Sequence, residues 1–262
     1  MHRHIKKWGQ VFLKNKLIQE KIGKYINSLN FDNLLEVGGG EGALTQYIQS
    51  NNLVIVEIDK KLAYFLQEKF PTSRVIVEDF LELKINNIFE SNQKALIVGN
   101  IPYYITSPII SKFLFEPIFK EAVFMVQKEV FESITSPHSN KNYTSFSAFL
   151  QTISTIKKVL NVGRNNFFPI PKVDSVVIHF KKKESEIFNS IKQYSLFLKK
   201  SFFMPRKTLV NNWKKFLNLE QIEELVSENE IDIKVRPDWI SPQLFEKIFL
   251  SKSGKKHLHS IL

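Results

Sequence analysis

Residues 34–45, Leu34-Leu35-Glu36-Val37-Gly38-Gly39-Gly40-Glu41-Gly42-Ala43-Leu44-Thr45, run from an apolar stretch into spaced glycines. The stretch reads as a buried strand. Gly38, Gly40 and Gly42 read as a sharp turn into a helix, where missing Cβ atoms let a ligand approach the backbone. Further β-branched runs follow: LVIVEID (53–59), RVIVED (74–79), ALIVGN (95–100), AVFMVQ (122–127), KKVLNV (157–162) and SVVIHF (175–180). Amphipathic segments such as GALTQYIQS (42–50) and KKLAYFLQEKF (60–70) separate the early ones. This alternation predicts an α/β fold, a doubly wound, Rossmann-like parallel sheet with helices on both faces. The last two runs have no long helix between them and are expected to form an antiparallel hairpin at the sheet edge. The FFPIPK segment (167–172) would be a proline-stiffened connection between them.

Beyond the charged run KKKESE (181–186) only helical periodicity remains, in residues 190–203, 207–217, 219–229 and 242–250. The expected organisation is a sheet domain over 1–183 and a small all-helical domain over 184–262, with a frayed tail, SKSGKKHLHS (251–260).

Composition narrows the chemistry. The chain has no cysteine, which excludes disulfides, thiolate metal sites and a cysteine nucleophile. Its six histidines show no metal-ligand spacing, so no metal is expected. The net charge of +11 favours a polyanionic partner. The N-terminus lacks the apolar core of a secretion signal, and no apolar run is long enough to cross a bilayer. A cytoplasmic protein is expected.

The glycine loop alone leaves the nucleotide open, because Gly38, Gly40 and Ala43 also satisfy a dinucleotide-binding spacing. Glu57, ending the second strand, is placed to accept from ribose hydroxyls, and Asp79, ending the third, from an adenine amino group. Their neighbours Ile58 and Phe80 suit the two faces of the adenine ring. The fourth strand runs into Asn100-Ile101-Pro102-Tyr103. An aromatic amine is a poor nucleophile, because its lone pair is delocalised into the ring. A catalyst for its alkylation needs two acceptors that hold both amine hydrogens. The Asn100 side-chain oxygen and the Pro102 carbonyl are the candidates, with Tyr103 as a flat surface for a flipped base.

With these motifs in order, the chain resembles the ribosomal RNA adenine dimethylase family. GQVFL (9–13), EVGGGEGALT (36–45), NIPYYITSPI (100–109), FMVQKEV (124–130), FFPIPKVDSVVI (167–178), PRKTLVNNW (205–213) and RPDWISPQLF (236–245) are similar to its successive motifs. The resemblance implies a class I methyltransferase sheet with S-adenosylmethionine as cofactor. It implies contacts to that cofactor from Leu13, Gly38, Glu57, Asp79 and Asn100, beside Gly40 of the glycine loop. Asn100 and Pro102 would hold the target amine, and Tyr103 and Phe167 would stack on opposite faces of the target adenine.

The motifs PKVDS, RKTLVNN and RPDWIS favour the small-subunit enzymes of the family, which modify two adjacent adenosines in a terminal hairpin loop. The implied partner is small-subunit rRNA within a pre-30S particle, bound by a monomer. Arg3, Lys6, Lys7, Lys14, Lys199, Lys200, Arg206, Lys207, Lys214 and Lys215 are the candidate phosphate contacts. Rival readings are the large-subunit rRNA methyltransferases of macrolide resistance, which share the Asn-Ile-Pro-Tyr spelling, a non-catalytic nucleic-acid-binding relative, and an NAD-dependent oxidoreductase. Four positions depart from the family pattern: Val11 for Asn, Gly39 for Pro, which should loosen the loop, Tyr104 for Asn, and Pro205 for Arg.

Overall fold

The computed structural model describes residues 11–89 and 94–259. The chain forms two compact units, one of residues 1–128 and 157–181, the other of 129–156 and 182–262.

The first unit is built on the sheet. The sheet's strands are β2 (Asn33–Val37), β3 (Leu53–Glu57), β4 (Arg74–Val77), β5 (Ala95–Asn100), β6 (Phe119–Gln127), β7 (Ser154–Val162, whose first three residues lie in the second unit) and β9 (Ser175–Lys182, whose last residue does too). They lie in the order β4-β3-β2-β5-β6-β9-β7. The first five run parallel, and β9 pairs antiparallel with β6. Strands β2 and β3 are fully buried, and β3 is a near-continuous apolar run, as a sheet covered on both faces requires. The chain adds β3 and β4 on one side of β2 and then β5 and β6 on the other, and this switch in strand order opens a crevice beyond the carboxyl ends of β2 and β5. The two late runs are neighbours at the edge, as expected, with β9 inserted between β6 and β7.

A short ribbon stands apart from the sheet. β1 (Phe12–Leu13) pairs antiparallel with β8 (Phe167–Phe168), so that Phe12 faces Phe168 and Leu13 faces Phe167. Phe167–Phe168 is therefore a strand in its own right. After β1, α1 (Lys16–Asn27) is capped by the Asn15 side chain, and α2 (Lys60–Lys69) by that of Asp59. α3 (Thr106–Phe115) follows β5.

One crossover differs from expectation. Residues 42–50 form turns and a single 3₁₀ turn, Thr45–Tyr47, instead of an α-helix. Gly42, at φ +79°, lies outside the right-handed helical region, and Ile48 is already extended, so the helical stretch between them is one 3₁₀ turn.

The second unit is helical: α4 (Lys128–Ile134, whose first residue lies in the first unit), α5 (Ser145–Ile153), α6 (Ile191–Ser201), α7 (Leu209–Trp213), α8 (Leu219–Glu228), α9 (Pro242–Leu250) and α10 (Lys252–His257). Phe197 lies about 6 Å from Trp213, Phe245 and Phe249, in an aromatic core. α5 joins this core because the Thr152 hydroxyl meets the Tyr194 hydroxyl at 2.9 Å. The compact units therefore depart from a single boundary at 183/184, since 129–156 packs with the later helices. The tail is not frayed through 259. Glu228 accepts from the Lys252 and Ser253 amides, and Leu258 is fully buried.

Candidate active site

A single cavity occupies the crevice at the carboxyl ends of β2, β3, β4 and β5. It is lined by Leu13, Gly38, Gly40, Glu57, Ile58, Asp79, Phe80, Asn100, Pro102 and Tyr103, so every residue expected at the site except Phe167 is brought together there.

The glycine loop forms its floor. Gly38 and Gly40 have φ of +71° and +57°. A Cβ at Gly38 would meet nothing within 4 Å and would project into open cavity. Gly39 is tightly packed instead: a Cβ there would lie 2.6 Å from Ile55 and 2.9 Å from Leu66, so the loop is not loosened. The buried Glu57 carboxylate accepts from the Gly40 amide and the Asp59 amide, both at 3.0 Å. This fixes Glu57 while leaving each oxygen a further lone pair, and burial raises its pKa from the ordinary value.

Sequence reading missed Glu36. It is buried beside the loop and accepts from the Thr45 hydroxyl at 2.6 Å. Burial, reinforced by the charge of Glu57, pushes its pKa up to about 7. An acid inside the strand that feeds the glycine turn was the available signal.

Asp79 accepts from the Leu81 amide at 2.9 Å, and Phe80 packs buried beside it. Across the cavity, Asn100 Nδ2 donates to the Val11 carbonyl at 2.9 Å. That bond fixes the amide and turns Oδ1 into the available acceptor. The Val11 departure leaves it intact, because the contact is through the backbone.

The Pro102 carbonyl is committed elsewhere. It accepts from the Ile105 amide at 3.1 Å and the Thr106 hydroxyl at 3.4 Å. The carbonyl one residue earlier, on the cavity-lining Ile101, is not taken up in this turn. The expected acceptor Pro102 starts the 3₁₀ turn Tyr103–Ile105, and its carbonyl closes that turn.

The Tyr103 hydroxyl meets Ser175 Oγ, at the start of β9, at 2.8 Å, and burial raises its pKa. Phe167 is 3 % exposed, in the apolar core opposite Leu13. Its neighbour Phe168 is 52 % exposed on the Phe12 side of the ribbon. The structure thus does not present Phe167 to the cavity.

Lys14 is also engaged, in an ion pair with Glu41 and over the Phe12 ring. Arg3, Lys6 and Lys7 lie outside the described residues. In the second unit Lys199, Arg206, Lys207, Lys214 and Lys215 are exposed, and Lys200 lies over Phe216. Among the described residues no cluster of metal-ligating side chains occurs, and no helix is long and apolar enough to cross a membrane.

An acceptor at the end of β5, facing a nucleoside crevice at the reversal of the sheet, places the chain among the class I S-adenosylmethionine-dependent methyltransferases. The ribosomal RNA adenine dimethylase profile matches residues 1–253, and the chain belongs to that family. It is 38% identical over 245 residues to ribosomal RNA small subunit methyltransferase A of Malacoplasma penetrans (strain HF-2), covering 93% of this chain and 90% of that one. The crystal structure of a dimethyladenosine transferase from Plasmodium falciparum superposes with a TM-score of 0.75 at 25% identity, covering 91% of this chain and 96% of that one. The 23S rRNA methyltransferase ErmE shares the fold, with a TM-score of 0.68 at 23% identity over 91% and 98% of the two chains. The cofactor is S-adenosylmethionine, which closes the dinucleotide alternative.

Proposed function

We propose that this chain transfers methyl groups from S-adenosylmethionine to N6 of two adjacent adenosines in the 3′-terminal hairpin loop of small-subunit ribosomal RNA. Two rounds at each amine give N6,N6-dimethyladenosine. The observation that carries this reading is Asn100, whose amide is oriented by the Val11 carbonyl so that Oδ1 is left as an acceptor. The small-subunit name of the Malacoplasma relative supports the choice of RNA. The likeness to ErmE is one of fold, so the large-subunit reading is not favoured.

Gly38, Gly40, Glu57, Ile58, Asp79, Phe80 and Leu13 would hold the cofactor. The open space over Gly38 and the fixed Glu57 carboxylate fit a nucleoside there. When bound, it supplies an electrophilic methyl group. Asn100 Oδ1 and the Ile101 carbonyl accept the two N6 hydrogens of the target adenine and turn its lone pair toward the cavity. Tyr103, tethered through Ser175, offers the ring on which the flipped base rests. The held protons become acidic once nitrogen is alkylated, so neither acceptor has to be a strong base. Rate comes from positioning.

The second unit docks the RNA, with Lys199, Lys200, Arg206, Lys207, Lys214 and Lys215 contacting phosphates. The enzyme acts as a cytoplasmic monomer on an assembling small subunit. Methyl transfer from labelled cofactor to small-subunit rRNA, free or in partly assembled particles, tests the reading. Transfer by the wild type and its loss in Asn100→Ala support it, and full activity in the variant would refute it.

A further inference from the structure

Lys112, in the middle of α3, carries no role in the scheme above. Its ammonium donates to three main-chain carbonyls: Phe80 at 2.6 Å, Leu81 at 2.9 Å and Leu83 at 2.6 Å. It also stands 5.0 Å from the centre of the Phe80 ring. A lysine has three donors, and here all are spent on one four-residue stretch. Fixing a long, flexible side chain this way costs rotamer entropy, which the three hydrogen bonds offset.

That stretch is the one that presents Asp79 and Phe80 to the cavity. Its amides point the other way. Leu81 N–H donates to the Asp79 carboxylate, and the Glu82 and Leu83 N–H groups donate to the Asp79 carbonyl. Asp79 thus gathers the amides of the loop, and Lys112 gathers its carbonyls. Without the ammonium, three carbonyls of a half-buried turn lose their donors at once, and the Asp79 carboxylate loses the frame that aims it.

We propose that Lys112 is a positioning residue that fixes Asp79 and Phe80 in the arrangement that receives the adenine of the cofactor. This rests on the reading of the cavity as the cofactor site. The chemistry calls for lysine in particular. Three carbonyls converging on one point suit a compact ammonium, whereas the planar fork of arginine does not.

The test uses the full-length protein, with Lys112→Met and Lys112→Gln, and measures equilibrium binding by calorimetry. The ligands are S-adenosylmethionine and 5′-methylthioadenosine, which keeps the adenosyl group and lacks the amino-acid end. Both variants should raise the Kd of both ligands by the same factor, about tenfold or more. At saturating cofactor kcat should stay within about twofold, and amide hydrogen exchange at residues 81–83 should accelerate. Lys112→Arg should not restore binding. Unchanged Kd values in whichever variant folds, even with a lower Tm, would overturn the proposal by reducing Lys112 to a stability contact. If Glu57→Ala also left the Kd for S-adenosylmethionine unchanged, the reading of the cavity as the cofactor site would fail first, and the two failures are thereby distinct.

Discussion

Asn100 and Val11 are 89 positions apart in the chain, yet the Asn100 side-chain amide donates to the Val11 carbonyl at 2.9 Å. One end of the amide is thereby spent on holding the other in place. The segment before β1 thus completes the site through its backbone. Asn100→Ala should lower kcat by about 10²-fold or more while changing the Kd for S-adenosylmethionine far less, because positioning of the amine is lost. Val11→Ala should leave kcat within about threefold, since the carbonyl remains. Single-turnover methyl transfer alongside cofactor titration reads both.

The Tyr103–Ser175 bond gives a second expectation. Ser175→Ala and Tyr103→Phe should each raise KM for RNA by about fivefold, the value of one neutral hydrogen bond. The double variant should be no worse than either alone, as a double-mutant cycle expects of a shared contact. Additive losses would separate the two residues.

Glu36 makes stability depend on pH. Its folded pKa, about 7, lies above its ordinary 4.5, so the folded state holds the proton more tightly. Its contribution is present in full below pH 4.5 and is lost as pH rises through 7. The size is on the order of 3 kcal/mol. Glu36→Gln keeps an acceptor for Thr45 and should flatten that part of the slope in chemical denaturation. Glu57, raised in the same direction by burial, should leave a remainder.

The β1–β8 ribbon separates two adjacent phenylalanines. Phe167→Ala should cost about 3–5 kcal/mol of stability, as a core truncation does. Phe168→Ala, at a half-exposed position, should cost under about 0.5 kcal/mol. Thermal denaturation of the two variants checks the assignment, and equal losses would contradict the placement of Phe167 in the core.

The strands were legible because β-branched and apolar runs bounded by turn residues mark parallel strands, buried or at the sheet edge, and Glu57, Asp79 and Asn100 were legible because each ends such a run. What escaped depended on partners distant in the chain or on one-residue geometry. The periodicity of residues 42–50 suggested a helix, but Gly42 has a positive φ and Ile48 is extended, which confines the stretch to one 3₁₀ turn. The sequence could not show that the Pro102 carbonyl is used by the Ile105 amide and the Thr106 hydroxyl, which is why the Ile101 carbonyl is proposed instead. Phe167 and Phe168 are alike as letters, and only pairing with β1 shows which faces inward. The tail reads as polar, yet Glu228 holds it from another helix. Lys112 looks like any surface lysine until its three carbonyl partners are seen.

The most direct test of the account is to map N6,N6-dimethyladenosine in both ribosomal RNAs from cells with and without this gene. The account predicts two adjacent dimethylated adenosines in the 3′-terminal hairpin loop of the small-subunit RNA, lost with the gene and not restored by Asn100→Ala. Gene-dependent methylation found instead in the large-subunit RNA, or an unchanged small-subunit hairpin, would contradict it.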